Sequence, residues 1–293
     1  MKKRKAYKEQ TIGMLFIVPL VLYFLIFQLL PMLIALGVSF TEWNLLGTPA
    51  FVGFANYINL FTNELKYPDF WQSMVVTVLY ILMTVPGSIM LCLIVSAFLN
   101  SNIKGESFLK TIFYLPSVTA GAAVAAMWTF MLDPQYGLVN QVLGSNIGFL
   151  SNEHLALPSL AVMAIWGGLG YNVLIMLASM KGINPDLYEA SSLDGAGPVK
   201  QFFHITIPSV KPVIFFLTVT SLIGAFQAFD QMYLMTGGGP NKSTLTYMLS
   251  LYRHAVEYND MGAATAMSYI LFFIIATVTF IQFRLVRKRK DVV

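Results

Sequence analysis

The segment that decides the fold is Lys181–Lys211, KGINPDLYEASSLDGAGPVKQFFHITIPSVK, which lies between two long apolar runs and is far richer in charge than either of them. Asn184 can cap a helix, and Pro185 suits the first helical position, where a backbone N–H has no partner. Asp186 and Glu189 fall in the first turns, where a carboxylate interacts favourably with the positive end of the helix. The sequence therefore predicts a short helix beginning near Pro185.

The same segment also contains residues that end helices. The stretch Gly195–Gly197 tolerates left-handed backbone angles and predicts the end of the first helix. Pro198 can begin a second short helix. We expect that helix to end near His204, because Pro208 and Pro212 block its continuation.

The composition indicates a membrane protein. Hydrophobic residues make up 57% of the 293 residues, charged residues 11%, and the mean hydropathy is +0.68. A soluble domain has ~25% charged residues. The single cysteine, Cys92, lies in an apolar run, so the sequence excludes an internal disulfide and predicts a packed thiol.

Six apolar runs are each long enough to cross the ~20-residue hydrocarbon layer. They cover approximately residues 13–40, 71–99, 111–132, 155–180, 212–235 and 263–286. We therefore expect an all-α membrane protein with six transmembrane helices. The membrane domain would span residues 13–287, including segment 181–211, between an N-terminal tail (1–12) and a C-terminal tail (288–293).

Charge predicts the orientation. Fifteen of the 18 lysine and arginine residues fall in the two chain ends, in loop 100–110 and in Lys181–Lys211. By the positive-inside rule, these parts face the cytoplasm. An even number of spans agrees with two cytoplasmic termini in a multi-pass protein of a bacterial-type cell membrane.

The spacing within Lys181–Lys211 carries a resemblance. Glu189-Ala190-Ser191, then Gly195, Ile205 and Ile207-Pro208 closely resemble the E-A-A-x3-G-x9-I-x-L-P loop of binding-protein-dependent ABC importer permeases. Ser191 replaces an alanine and Ile207 a leucine. The stretches PMLIALGVSFTEWNLLG, FVGFANYINLF and AFDQMYLMTGGGP look like the carbohydrate-importing branch, the maltose-type and glycerol-3-phosphate-type permeases.

The resemblance implies a coupling helix between spans four and five that docks on a cytoplasmic ATPase. An ordinary amphipathic loop is the alternative. The implied partners are a sister permease, two ATPase subunits that carry ATP and Mg, and an external solute-binding protein. No cofactor or metal is expected on this chain, and no nucleic acid partner. The residues assigned to ATPase coupling are Asp186, Leu187, Glu189, Ala190, Ser191, Asp194, Gly195, Ile205 and Pro208.

Polar residues inside the spans indicate a solute pathway, because they are costly in lipid and normally face a protein interior or a cavity. Spacings of three and four place Gln227, Asp230, Gln231 and Leu234 on one helical face. Aromatic rings beside amides suit a sugar, and hydrogen bonding between helices is the alternative. The predicted pathway residues are Trp166, Tyr171, Asn172, Phe226, Gln227, Asp230 and Gln231.

The expected function is passage of a sugar or sugar derivative into the cytoplasm by alternating access, driven by ATP hydrolysis on a partner subunit. No residue pattern indicates catalysis by this chain. The stretch Thr236–Ser243 imitates a phosphate-binding loop but lacks both of its glycines, so we expect a glycine-rich turn closing span five. Two alternatives stay open: a permease for a non-sugar solute, and an ATPase-independent secondary transporter.

Overall fold

The computed structural model describes residues 14, 16–101 and 104–290, with side chains up to residue 285. The predicted tail 1–12 and residues 291–293 lie outside the described residues. The helices are α1 (Phe16–Ser39), α2 (Ala55–Thr62), α3 (Phe70–Asn100), α4 (Glu106–Val118), α5 (Gly121–Met131), α6 (Leu138–Leu143), α7 (Glu153–Lys181), α8 (Asp186–Leu193), α9 (Pro198–Phe226), α10 (Tyr247–Tyr252) and α11 (Met261–Lys290). Separate π-helical turns lie at Met232–Thr236 and Arg253–Glu257. Two-residue strands β1 (Thr41–Glu42) and β2 (Ala50–Phe51) pair antiparallel between α1 and α2.

Most of the predicted spans are confirmed as long helices. Among the described residues, α1, α3, α7, α9 and α11 are long and apolar enough to cross a membrane. The class is therefore a mostly helical, multi-pass membrane protein, as the composition predicts.

The third predicted run is not one straight helix, which corrects the expectation for residues 111–132. It consists of α4 and α5, which meet at a bend of 101°. Pro116 lacks a backbone donor in the last turn of α4, and Thr119 takes extended angles (φ −81°, ψ 141°) before α5 begins at Gly121. The count of six spans is reached if this bent pair is one of them.

The prediction that Pro208 and Pro212 block helix continuation is wrong. Helix α9 runs unbroken from Pro198 to Phe226, through a π-helical turn at Phe202–Thr206. In that turn the N–H of Ile207 bonds to the carbonyl of Phe202, five residues back. Prolines and π-helical turns are places where a helix can bend without ending, which is consistent with this continuity. The second predicted helix and span five are thus one element.

The chain divides into two compact units. The first contains the residues up to Pro68 together with Leu251–Phe273. Within it, the Asn56 amide donates to the backbone carbonyls of Ser39 (3.0 Å) and Thr41 (2.8 Å) and fixes the chain after α1. The Tyr67 hydroxyl donates to the Asp260 carboxylate at 3.1 Å. Burial and the charge of Asp260 raise the pKa of Tyr67 well above its usual value, so the phenol remains a donor.

The second unit contains Asp69–Ser250 and the chain from Ile274 onward. Its core forms where α3, α7 and α9 pack on each other, and the predicted burial of Cys92 is confirmed. The buried members of this core are Cys92, Leu99, Leu169, Val173, Met176, Leu177, Met180, Val210 and Leu217. At one side of the core, Glu106 at the start of α4 pairs with Lys110 (2.6 Å) and with Lys181 at the end of α7 (2.5 Å).

Helices α4 and α7 approach closely at Gly170. A β-carbon there would lie 2.2 Å from the backbone carbonyl oxygen of Phe113 and 2.5 Å from Cα of Tyr114. One turn earlier on the same helix, a β-carbon at Gly167 would meet nothing within 4 Å. A small residue at Gly170 therefore allows the two backbones to cross.

We predict that Gly170→Ala destabilises the protein by about 1–3 kcal/mol, because backbone atoms cannot move aside as a side chain can. Gly167→Ala is the matched control and should be neutral or stabilising by up to about 1 kcal/mol, since alanine favours helix over glycine. Thermal unfolding of both variants in the same detergent measures the difference. Equal melting temperatures would contradict the close crossing.

Candidate functional site

Helix α8 begins and ends through local chemistry that the sequence predicts. The Asn184 side-chain oxygen accepts a hydrogen bond from the N–H of Asp186 at 3.1 Å. At the other end, Gly195 takes the left-handed conformation with φ +77°. The N–H groups of Gly195 and Ala196 bond back to the carbonyls of Ser192 (3.0 Å) and Ser191 (2.9 Å). This pair of bonds is a Schellman motif, in which glycine is the preferred residue.

A second set of contacts ties α8 to the first turns of α9. Nε2 of Gln201 lies 3.2 Å from the carbonyl oxygen of Tyr188, 2.9 Å from Oγ of Ser191 and 2.8 Å from Oγ of Ser192. The hydroxyl groups of Tyr188 and Thr206 are hydrogen bonded at 2.9 Å. We name this set the Gln201 clamp. It makes α8 and the start of α9 one connected piece.

The outer surface of α8 is exposed and carries apolar side chains. Leu187 is 50% exposed and Leu193 is 90% exposed, and no residue of α8 is buried. Ser191, which faces the Gln201 clamp, is half-buried, while Asp186, Glu189, Ala190, Asp194 and Gly195 are exposed. Ile205 and Pro208 lie on α9 instead, Ile205 within its π-helical turn. The predicted coupling residues thus occupy two consecutive, hydrogen-bonded helices.

A cavity of about 530 Å³ lies between α3, α7 and α9 in the second unit. Its wall is completed by the stretch Gln227–Gln231, which follows the end of α9. The lining residues are Tyr80, Thr84, Val85, Ser88, Ala164, Gly168, Tyr171, Asn172, Thr220, Ser221, Gly224, Ala225, Gln227, Ala228, Phe229, Asp230 and Gln231.

Five of the predicted pathway residues meet at this cavity: Tyr171, Asn172, Gln227, Asp230 and Gln231. The prediction that Gln227, Asp230, Gln231 and Leu234 share one continuous helical face is wrong at Gln227, because α9 ends at Phe226 and helical structure resumes only at Asp230. Phe226 is buried and is not among the lining residues. Trp166 packs edge-on against Trp128 at 5.7 Å and borders a separate apolar hollow of about 520 Å³.

The sequence reasoning missed the contribution of α3. Tyr80, Thr84 and Ser88 all line the cavity. Nε2 of Gln231 donates to the hydroxyl of Tyr80 at 2.7 Å. A signal was available, since these polar residues recur every four positions within an apolar run and therefore share one helical face.

The segment from Thr236 to Tyr247, which includes the glycine-rich stretch, holds the chain that follows α9 in place. The Thr246 hydroxyl donates to the carbonyl of Ala228 at 2.9 Å, and the N–H of Tyr247 donates to Oγ1 of Thr77 on α3 at 2.8 Å. Lys242 and Asp69 form an ion pair at 2.5 Å. The loop thus fixes the chain after Gln227 beside α3, where Asp230 and Gln231 line the cavity.

Several polar groups in the cavity are not engaged by the protein. The side chains of Asn172, Gln227 and Asp230 make no hydrogen bond to other residues in the described part of the chain. Asn172 is only 8% exposed, so its amide must find its hydrogen-bond partners in whatever fills the cavity. Across the described ranges, no group of three histidine, cysteine, aspartate or glutamate side chains could hold a metal ion.

Comparison with known proteins gives the family. Residues 58–292 match the family described as the binding-protein-dependent transport system inner membrane component. The chain belongs to this family of membrane permease subunits. It is 37% identical over 97% of its length to the probable ABC transporter permease protein YesP of Bacillus subtilis (strain 168), covering 93% of that protein.

Two further relatives have names that state what they transport. The chain is 33% identical to the sn-glycerol-3-phosphate transport system permease protein UgpA of Yersinia pestis, over 82% of this chain and 81% of UgpA. It is 29% identical to the probable starch degradation products transport system permease protein AmyD of Thermoanaerobacterium thermosulfurigenes, over 99% and 98%. Among solved structures, a bacterial ABC transporter that imports the acidic polysaccharide alginate has the same fold, with a TM-score of 0.85 and 23% identity over 98% of this chain and 99% of that one.

We predict that Gln201→Leu loosens α8 from α9, because it leaves the acceptors of the Gln201 clamp without their donor. Losing such partners costs about 1–3 kcal/mol, so the amides of Asp186–Leu193 should exchange with deuterium about tenfold faster or more. Gln135→Leu, the same change at an exposed loop position, is the control. Unchanged exchange in Gln201→Leu would show that the clamp does not hold α8.

Proposed function

We propose that the chain is one transmembrane subunit of an ATP-driven importer that passes a sugar or sugar derivative into the cytoplasm. The observation that carries this proposal is the continuity of α9. One end of the helix is clamped to the exposed helix α8, and the other end forms the wall of a polar, ring-lined cavity. A displacement of α8 would therefore reach the cavity through a single continuous helix.

In this proposal α8 is the coupling helix that docks on a cytoplasmic ATPase subunit, which hydrolyses ATP. Its exposed leucines and its acidic first turn supply a surface of the kind that binds a groove. Two ATPase subunits, a sister permease and an external solute-binding protein complete the complex. Family membership supports these partners, and so does a solved relative of the same fold that was captured with its periplasmic protein.

The cavity is the proposed pathway. Closure of the ATPase subunits would tilt α9 and its neighbours and open the cavity to one side of the membrane at a time. Both termini and Lys181–Lys211 would face the cytoplasm, as the charge distribution predicts. One relative carries a name that mentions starch degradation products, which supports a sugar as the solute.

The test compares two glycines that differ in backbone angle. Gly195 has φ +77° and Gly197 has φ −75°, and neither would bring a β-carbon within 4 Å of another atom. Gly195→Val should abolish ATP-driven uptake by the reconstituted complex, because valine cannot cheaply adopt the left-handed conformation that ends α8. Gly197→Val should retain uptake.

Membrane insertion and assembly with the ATPase are measured on the same preparations. Loss of uptake in a complex that still assembles locates the defect in coupling. Wild-type uptake by Gly195→Val would contradict the coupling role of α8.

A further inference from the structure

Among the described residues, the lining of the cavity carries negative charge and no positive charge. Asp230 is the single charged side chain among the described residues that line it, and no lysine, arginine or histidine of the described chain contributes to the lining. The remaining polar groups are hydroxyls and amides. A site for a carboxylate or phosphate would be expected to present cationic donors, with arginine preferred for its two parallel hydrogen bonds.

Asp230 has no partner of opposite charge. It forms no ion pair with any residue that the structure describes, and its side chain is exposed to the cavity. Its Oδ2 lies 3.9 Å from the position that a β-carbon on Gly121 would occupy, beside the first residue of α5. Because this exposed carboxylate lines the cavity without a cationic partner, its negative charge would repel an acidic ligand there.

The neutral groups fit a ligand rich in hydroxyls. The exposed ring of Tyr171 and the ring of Phe229, which stacks on Tyr233, offer surface for apolar C–H groups. Asn172 and Gln227 offer amides that can both donate and accept. A carboxylate such as that of Asp230 accepts hydrogen bonds from hydroxyl groups. Rings, amides and one carboxylate together match an uncharged saccharide.

We propose that this cavity accepts uncharged saccharides and excludes their acidic counterparts, and that Asp230 sets this preference. The inference rests on the proposed function and names the substrate class of the same site. It also separates this chain from similar proteins whose names state an anionic solute, glycerol-3-phosphate or alginate. Those names therefore do not transfer to this cavity.

The first experiment measures the cavity's charge without needing its ligand. The complete complex carries Ser221→Cys in a Cys92→Ser background, and the introduced thiol reacts with cationic or anionic methanethiosulfonate reagents of similar size. The cationic reagent should react faster, by on the order of tenfold relative to a simple thiol in solution. Adding Asp230→Asn should remove most of that preference, whereas Glu64→Gln, a neutralisation at an exposed loop position, should leave it unchanged. An unchanged preference in Asp230→Asn would overturn the assignment of Asp230.

The second experiment tests the substrate class in the same complex without the solute-binding protein. Maltotetraose should slow labelling of the introduced thiol, and a tetrauronate of equal length should not. Asp230→Asn should reduce the difference between them. Protection by the tetrauronate equal to that by maltotetraose would overturn the proposal, and so would protection by neither. ATP-driven saccharide uptake by the complex is measured separately, so failure of this inference is distinguishable from failure of the proposed function.

Discussion

The rest of the structure depends on the continuity of α9 from Pro198 to Phe226. Pro208 and Pro212 fall within it, and each removes a backbone donor that an α-helix would use. The π-helical turn at Phe202–Thr206 precedes them and changes the bonding pattern before Pro208 is reached. The polar segment that contains α8 and the apolar helix that lines the cavity are therefore one mechanical element.

Each end of α9 is held by hydrogen bonds, which are directional, whereas hydrophobic packing is not. At one end, the Gln201 clamp fixes α8 through its backbone and its serine hydroxyls. At the other end, Thr246 fixes the carbonyl of Ala228 where the helix has stopped. Between them, Val210 and Leu217 are fully buried in the core with α3 and α7. Apolar packing thus secures the middle of the helix, and hydrogen bonds set the position of its two functional ends.

The sequence predicts features that are encoded locally. Asn184 and Gly195 specify the ends of α8 through a side-chain cap and a left-handed angle, and both are found. The bend between α4 and α5 and the passage of α9 through its prolines are not readable in the same way. In both cases the outcome is set by which backbone hydrogen bonds form around the proline, and the sequence pattern does not specify this. Which residues line the cavity also depends on tertiary packing. Tyr80 on α3, for example, contacts Gln231 although the two residues are 151 positions apart in the sequence.

The central claim is that α8 and α9 move as one piece, and distances between spin labels test it most directly. Labels at Leu193 on α8, Ser209 on α9 and Val142 on α6, all exposed, are introduced in pairs into the assembled complex in a Cys92→Ser background. The account predicts that the Leu193–Ser209 distance is the same in the nucleotide-free and ATP-bound complex, while the Leu193–Val142 distance changes. A Leu193–Ser209 distance that changes with nucleotide, with Ser209–Val142 constant, would contradict it.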